Sequence, residues 1–427
     1  MTADEPPSES LTLWEKLSLI WLFPLFAIRL LTFLLLHRNP TLHPLQNLAL
    51  AYLKLSRATF SAKYLHLQAR RTPTGRAIAS YLSSKHPNIA YTTVTVPLPE
   101  SPGLKLRGLP EPVLHILTPL PIEGEGATGR DDGTTLLYLH GGGYVNPLRA
   151  TGHMPFILSL SQSLSRSSRS SSSSGATCTT TRTIILEYAL SPEYPYPSQL
   201  IQAAATLSYL LSPSSALGQL NPSNIILAGD SAGGQLVGAL LAHLAHPSPY
   251  APPVQGWKEG EDQFKAAVFI SPWASMQREG DVIEADDKWD YLSRNQGGRF
   301  QELWAPRVDE VWANLCGFSS DAGEQEEVWG RVFGRKGGHK AMVGKTLVTV
   351  GTAEVLLDSC RRFGRECVRG KTVVVDRSSD LEREVKGKDV LMVECVGEAH
   401  VQPALDAALG YKDGVMMRAI LAWLGGV

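Results

Sequence analysis

Cysteine is scarce in this chain. The 427 residues hold five, Cys178, Cys316, Cys360, Cys367 and Cys395. They are odd in number and lack metal-ligand spacing, so they read mainly as free thiols, a single disulfide being the alternative; neither a metal nor a cofactor is expected. Net charge is scarce too. Forty basic residues against forty-one acidic ones leave −1, which gives nucleic acid no basic face to bind. No asparagine qualifies as a glycosylation acceptor, since Asn221 is followed by Pro222. That absence points to a cytosolic catalytic domain. No solenoid-type repeat is present.

What the chain does have is apolar sequence, 43% of its residues. One long stretch, residues 17–36, is almost wholly Leu, Ile, Phe and Trp. It has about the 20 residues needed to span a bilayer core. Pro24 and Arg29 interrupt it; an arginine at mid-depth costs on the order of 3 kcal/mol, which the neighbouring leucines and phenylalanines offset. The expectation is a membrane anchor behind a disordered segment 1–16, with the endoplasmic reticulum as the expected membrane. Lys16 precedes the stretch while Arg38, Lys54 and Arg57 follow it, so the positive-inside rule puts the main domain in the cytosol. Pro24 leaves open a segment that dips into one leaflet and returns.

Residues 45–85 carry helical periodicity, with Leu48, Tyr52 and Leu55, then Leu65, Leu67 and Ile78, around a break at Thr72-Pro73-Thr74-Gly75. They are expected to lie over the catalytic domain as part of a cap. Residues 89–427 read as that domain. Its strand candidates are 89–96, 113–118, 136–139, 184–186, 225–228, 266–270, 347–350 and 390–393, with helices over 198–211, 235–245 and 353–368. Short apolar strands alternating with helices predict an α/β fold with a mostly parallel central sheet flanked by helices. The two early strands predict an antiparallel start. Three segments read as insertions: a serine-rich flexible loop at 161–174, a Pro/Gly-rich stretch at 247–263, and a charged, solvated stretch at 376–388.

The chemistry concentrates at Gly229-Asp230-Ser231-Ala232-Gly233. An apolar run enters this segment and a helical pattern leaves it, the strand–turn–helix context a Gly-x-Ser-x-Gly nucleophile needs. Upstream, the run 136–139 ends in His140-Gly141-Gly142-Gly143-Tyr144. Glycines there allow backbone N–H groups to face a developing oxyanion. The candidate donors are Gly141, Gly142 and Gly143 together with Ala232, and His140 reads as structural. Downstream, the strand 347–350 opens into Gly351-Thr352-Ala353-Glu354-Val355-Leu356-Leu357-Asp358. Glu354 is the candidate triad acid and Asp358 the alternative; either one also fits a helix N-terminal carboxylate that offsets the dipole. After the last strand candidate stands His400, where the base belongs. The order serine, acid, histidine is the hydrolase order.

Four blocks together resemble the hormone-sensitive-lipase family of α/β-hydrolases: residues 140–144, 187–197, 229–234, and 351–358 with His400. The second, Glu187-Tyr188-Ala189-Leu190-Ser191-Pro192-Glu193-Tyr194-Pro195-Tyr196-Pro197, is similar to the family's Asp-Tyr-Arg-Leu-Ala-Pro-Glu-x-Pro-x-Pro, with Glu187 for Asp and Ala189 for Arg. Many members carry Asp where Glu354 stands. An anchor ahead of the domain is similar to the membrane-anchored steryl acetyl hydrolase and arylacetamide deacetylase branches. The resemblance implies an α/β-hydrolase fold with a helical cap and an N-terminal anchor helix. It also implies a serine carboxylic-ester hydrolase working through an acyl-enzyme on apolar or lipid-like esters such as steryl acetates. The competing reading is a catalytically silent ligand receptor on the same scaffold. Residues 278–311 join the expected cap, and Trp273, Trp289, Trp304 and Trp312 either line an apolar pocket or pack the core.

Overall fold

A computed structural model describes residues 11–61, 64, 72–99, 108–119, 133–170, 181–276, 288–317, 322–334 and 340–427. Among them, nine strands form one sheet: β1 (Ile89–Thr95), β2 (Val113–Pro119), β3 (Thr135–Leu139), β4 (Arg182–Glu187), β5 (Ile225–Asp230), β6 (Phe264–Ile270), β7 (Val343–Gly351), β8 (Lys371–Val375) and β9 (Val390–Cys395). Their order across the sheet is β1-β2-β4-β3-β5-β6-β7-β9-β8. β2 runs antiparallel to both β1 and β4, and every later pairing is parallel.

The central strands are apolar along their whole length because both faces are covered. Successive side chains point to opposite faces, and each face has its own core. Leu137, Leu139, Ile225 and Leu227 pack against α5 (Ser198–Leu211) and α6 (Ala232–Ala245). Their neighbours Leu136, Tyr138, Ile226 and Ala228 pack against α4 (Ala150–Ser170), α12 (Val415–Leu424) and α3 (Thr74–Lys85). The α/β expectation and the antiparallel start both match this sheet.

Several boundaries differ from the expectation. Residues 161–170 continue α4 instead of forming a loop: Leu164 is buried, and the Ser163 and Ser167 hydroxyls donate to the Leu421 and Gly425 carbonyls of the neighbouring segment. The remainder of that run, 171–174, lies outside the described residues, as do 1–10. Helix α1 (Leu13–Leu36) begins inside the segment expected to be disordered, where Thr12 and Glu15 form a capping box. Within 376–388, the one-turn α10 (Leu381–Glu384) turns Leu381 and Val385 into the core. These two apolar residues at helical spacing outvote the surrounding charge. Residues 247–263 are irregular, with turns. Strand β8 is unforeseen because it is a sheet edge whose only fully buried residue is Val375.

The region 45–85 divides. Helix α2 (Pro44–Thr59) lines the cavity described below, through Leu48, Tyr52 and Arg57. Helix α3 instead buries Ile78 and Leu82 against the sheet's second face, so it does not cover the site. Residues 65–71 lie outside the described residues. Helix α1 buries none of its residues and meets α2 edge to edge, Phe26 lying 5.4 Å from Phe60 and 5.7 Å from Tyr52 between ring centroids. Arg29 donates through Nη1 to Thr59 Oγ1 at 3.2 Å and to the Ala58 carbonyl at 3.4 Å, so the end of α2 supplies acceptors for the charge inside the apolar run. Among the described residues, α1 is the one helix long and apolar enough to cross a membrane.

One tight crossing is at the end of β5. A Cβ on Gly233 would stand 2.0 Å from the Leu139 carbonyl oxygen and 2.7 Å from that of His140. Neither is a flexible side chain that can retreat. Gly233→Ala is therefore expected to destabilise the protein by about 1–3 kcal/mol, measured by urea unfolding of the purified chain.

Candidate active site

Strand β5 delivers Ser231 to the N-terminus of α6 with φ 52° and ψ −119°. This backbone is costly for a non-glycine residue. It is held by Ser231 N donating to the Ile270 carbonyl at 2.9 Å and the Ser231 carbonyl accepting from Trp273 N at 3.0 Å. His400 follows β9, and its Nε2 lies 2.9 Å from Ser231 Oγ. Its Nδ1 faces Glu354 Oε1 at 3.7 Å, an ion-pair distance longer than a hydrogen bond.

Glu354 comes from the turn after β7. The helix expected from residue 353 starts late, as α9 (Leu357–Arg362), the next after α8 (Ala322–Phe333), and is followed by a π-helical turn over Phe363–Cys367. The intervening residues fold the carboxylate back over the strand end, where Oε2 accepts from Ser271 Oγ at 2.7 Å and Gly351 N at 3.1 Å. Ser271 Oγ also accepts from Val401 N at 3.2 Å, so one hydroxyl links the acid to the residue after His400. Asp358, the alternative acid, is 76% exposed and pairs with Arg361 at 3.7 Å. Burial lowers the affinity of His400 for a proton, but Glu354, Asp290 and Asp230 outweigh it, and the pKa ends above the usual imidazole value.

The glycine loop after β3 splits in its roles. Gly141 N donates to Asp230 Oδ1 at 2.9 Å, so this amide is committed and the expectation that it faces an oxyanion is corrected. Gly142 and Gly143 take φ 131° and φ 63°, and among the described residues their amides and that of Ala232 have no protein acceptor. Phe300, from α7 (Arg294–Trp304), packs on Gly143, where a Cβ would lie 2.5 Å from its ring. His140 stacks on Tyr188 at 4.4 Å and donates through Nδ1 to the Gly141 carbonyl at 2.8 Å. Burial pushes its pKa down to about 4, so it sits neutral inside the loop it supports.

Asp230 was read only as the residue before the nucleophile. It is the buried tie between the two motifs: Oδ1 accepts from the Tyr138 hydroxyl at 2.6 Å as well as from Gly141 N, and Oδ2 meets His153 Nε2 at 3.3 Å. Burial alone would raise its pKa, and these partners, His153 first, bring it below the usual carboxylate value. The other unforeseen members are Ser271 and Asp290. Nothing in their local sequence marks them, since each acts on a loop distant in the chain.

Ser231 and His400 open into a cavity of about 970 Å³ bounded by α2, α7 and α11 (Gln402–Leu409). Of the four tryptophans, Trp273 lines it. Trp304 stacks on Tyr144 and Trp312 on His246, while the Trp289 indole N–H donates to the His37 carbonyl. Among the described residues, no group of three or more His, Cys, Asp or Glu side chains is arranged to hold a metal.

A family model of the α/β-hydrolase fold matches residues 136–381, more than half of the chain. The chain belongs to the hormone-sensitive-lipase-like family of α/β-hydrolases. It is 34% identical over 151 residues to an acetyl-hydrolase of Streptomyces hygroscopicus, a match spanning 35% of this chain and 40% of that protein. The chain thus matches less than half the length of this curated relative. A mutant of the esterase E40 is similar in structure, with a TM-score of 0.55 and 21% identity over 90% of this chain and 97% of that one. So is a fungal esterase from Rhizomucor miehei, with a TM-score of 0.54 and 18% identity over 88% of this chain and 98% of that one. At these identities the structural likeness concerns the fold.

Removing the Asp230 carboxylate strands two buried donors, Tyr138 OH and Gly141 N. Asp230→Ala is expected to cost about 1–3 kcal/mol for each unsatisfied group. Asp230→Asn, which keeps an acceptor oxygen, is expected to cost less. Chemical unfolding of both variants measures the difference.

Proposed function

We propose that the protein is a serine carboxylic-ester hydrolase. The observation that carries this reading is the 2.9 Å contact of Ser231 Oγ with His400 Nε2, with a buried carboxylate behind the imidazole and the glycine loop lining the same cavity. Ser231 attacks the ester carbonyl carbon as its proton passes to His400 Nε2. The oxygen of the tetrahedral intermediate is met by the amides of Gly142, Gly143 and Ala232, each such donor being worth on the order of 10²–10³ in turnover. Collapse expels the alcohol, which takes the proton from His400. Water then attacks the acyl-enzyme with His400 again accepting a proton; collapse breaks the bond to Ser231 Oγ, which takes that proton back from His400, and the acid leaves. Glu354 holds the ring and stabilises its cation.

The triad reading makes a graded expectation. Ser231→Ala loses turnover on a short acyl ester by on the order of 10⁶-fold, and Glu354→Ala by on the order of 10⁴-fold. Asp358→Ala stays near wild type. Folded Ser231→Ala with full turnover, or a larger loss at Asp358 than at Glu354, overturns the corresponding assignment. The base must be neutral to accept the serine proton, and the His400 pKa is raised. Activity should therefore fall as pH drops, on an acid limb lying above the ordinary imidazole value of about 6.5. Absence of turnover by the folded wild type on every ester tried would favour the silent-receptor alternative.

The substrate side of the proposal is an apolar ester with a bulky alcohol, steryl acetates among them. The cavity volume is at the upper end of small-molecule sites, about 300–1,000 Å³, and Leu48, Tyr52, Leu292, Phe300 and Leu405 contribute apolar wall. We read α2 and α7 as the cap. Helix α1 is read as a membrane anchor that brings this mouth to lipid-dissolved esters, supported by its length, its exposed apolar surface and the acceptors α2 gives Arg29. Deleting residues 1–38 should lower hydrolysis of a steryl acetate in vesicles and spare a soluble acetyl ester; equal loss on both counts against the anchor.

A further inference from the structure

Between the end of the cavity wall at Trp273 and helix α7, the segment 288–293 crosses the top of the sheet as a strap. Its residue Asp290 is 1% exposed, and the chemistry described above makes no use of it. Its carboxylate reaches two loops that are far apart in the chain. Oδ2 accepts from Val355 N, the residue after Glu354, at 2.8 Å, and Oδ1 accepts from the backbone N of His400 at 3.4 Å. A third bond, from Leu292 N to Oδ1 at 3.2 Å, fixes the carboxylate within the strap. The strap itself is fastened to the cavity wall. Arg57 of α2 donates through Nη1 to the Tyr291 carbonyl at 2.9 Å and to Gln296 Oε1 at 3.2 Å, with its guanidinium 5.3 Å from the Tyr291 ring centroid.

We propose that Asp290 is a positioning residue for ester hydrolysis: a second buried carboxylate that clasps the Glu354 and His400 loops together and favours the protonated imidazole. The proposal rests on the reading of Ser231, Glu354 and His400 as the triad. Its physical basis is twofold. A carboxylate bonded to one backbone N–H in each loop sets the spacing between acid and base, and displacements of about 1 Å in such a constellation cost on the order of 10²-fold in rate. It also adds a buried negative charge, bonded to the backbone of the residue whose ring becomes cationic in the transition state. Burying an anion this deeply is costly. Burial pushes the Asp290 pKa up to about 6, against the opposing pull of His400, so the group is anionic over the neutral and alkaline range in which the base is free. The groups facing His400 are Glu354, Asp290, Asp230 and the Tyr291 ring; those facing Asp290 are His400, Glu354, Tyr291 and Arg57.

The test uses the full-length chain, a soluble acyl ester over a range of pH, and a fluorophosphonate probe that labels an activated serine. Asp290→Asn removes the charge and presents an amide N–H to Val355 N, while its oxygen can still accept from His400 N. Turnover should fall by on the order of 10- to 100-fold with KM little changed, and the acid limb of kcat/KM should move to lower pH. Asp290→Glu keeps the charge and changes the reach; its acid limb should stay with the wild type while kcat falls. Folded Asp290→Asn with wild-type kcat and an unmoved acid limb overturns the proposal. If Asp290→Asn does not fold, Asp290→Glu decides, and wild-type kcat there overturns it equally. Ser231→Ala separates the two layers: if that variant still takes the probe, another residue is the nucleophile and the triad reading itself has failed, whereas loss of labelling with an unaffected Asp290→Asn refutes only the clasp.

Discussion

The site depends on one close approach, where the end of β5 passes under the first turn of α6. The Gly233 Cα stands so near the Leu139 and His140 carbonyls that no side chain fits. Gly229 lies equally close to the Gly233 carbonyl, at 2.4 Å from where a Cβ would be. That compression forces Ser231 into a positive-φ turn and lifts its hydroxyl above the strand ends. It also brings the nucleophile segment within hydrogen-bond reach of the glycine loop after β3. A sheet with both faces buried is what sustains the compression, because packing on either side leaves the turn no room to relax.

Around this crossing, buried polar groups connect motifs that the chain separates widely. Asp230 joins the Ser231 turn to the glycine loop and Tyr138, Ser271 joins Glu354 to the loop of His400, and Asp290 spans the Glu354 and His400 loops. Each is a short side chain holding backbone amides, so each fixes the path of a loop and not merely the position of another side chain. Buried polar groups of this kind are costly when unpaired and rigid when paired. The positions of Ser231, Glu354 and His400 are consequently set from below by the sheet and from the sides by these ties. The cavity wall contributes as well, because Arg57 of α2 secures the strap that carries Asp290.

Much of this was legible in the linear order of residues. Eight of the nine strands were legible, the central ones as apolar runs, since a doubly covered strand must be apolar throughout and turn residues bracket it, and β1 by its alternation. The nucleophile turn, the glycine loop, the acid-bearing segment and His400 stood out because each is a local pattern: small residues where the backbone must pass closely, or a polar group just beyond a strand. Strand β8 escaped because an edge strand buries one side chain and so lacks that signature. Residues 161–170 read as a loop because the Ser163 and Ser167 side chains find their carbonyl acceptors in a neighbouring segment, and sequence composition cannot show acceptors contributed by another part of the chain.

By itself, then, the sequence determined the fold class, the order of the functional segments and the long apolar run at the N-terminus, because periodicity and glycine placement are properties of neighbouring residues. Tertiary structure alone decided between Glu354 and Asp358 as the carboxylate facing His400, since both follow β7 and only folding shows one buried beside the imidazole and the other in solvent. It alone showed the Gly141 amide committed to Asp230, and separated α2, on the cavity, from α3, on the sheet. It also revealed Asp230, Ser271 and Asp290 as ties. The physical reason is common to all of these: a hydrogen bond or a packed face is a relation between distant parts of the chain, and it exists only once the sheet has brought them together.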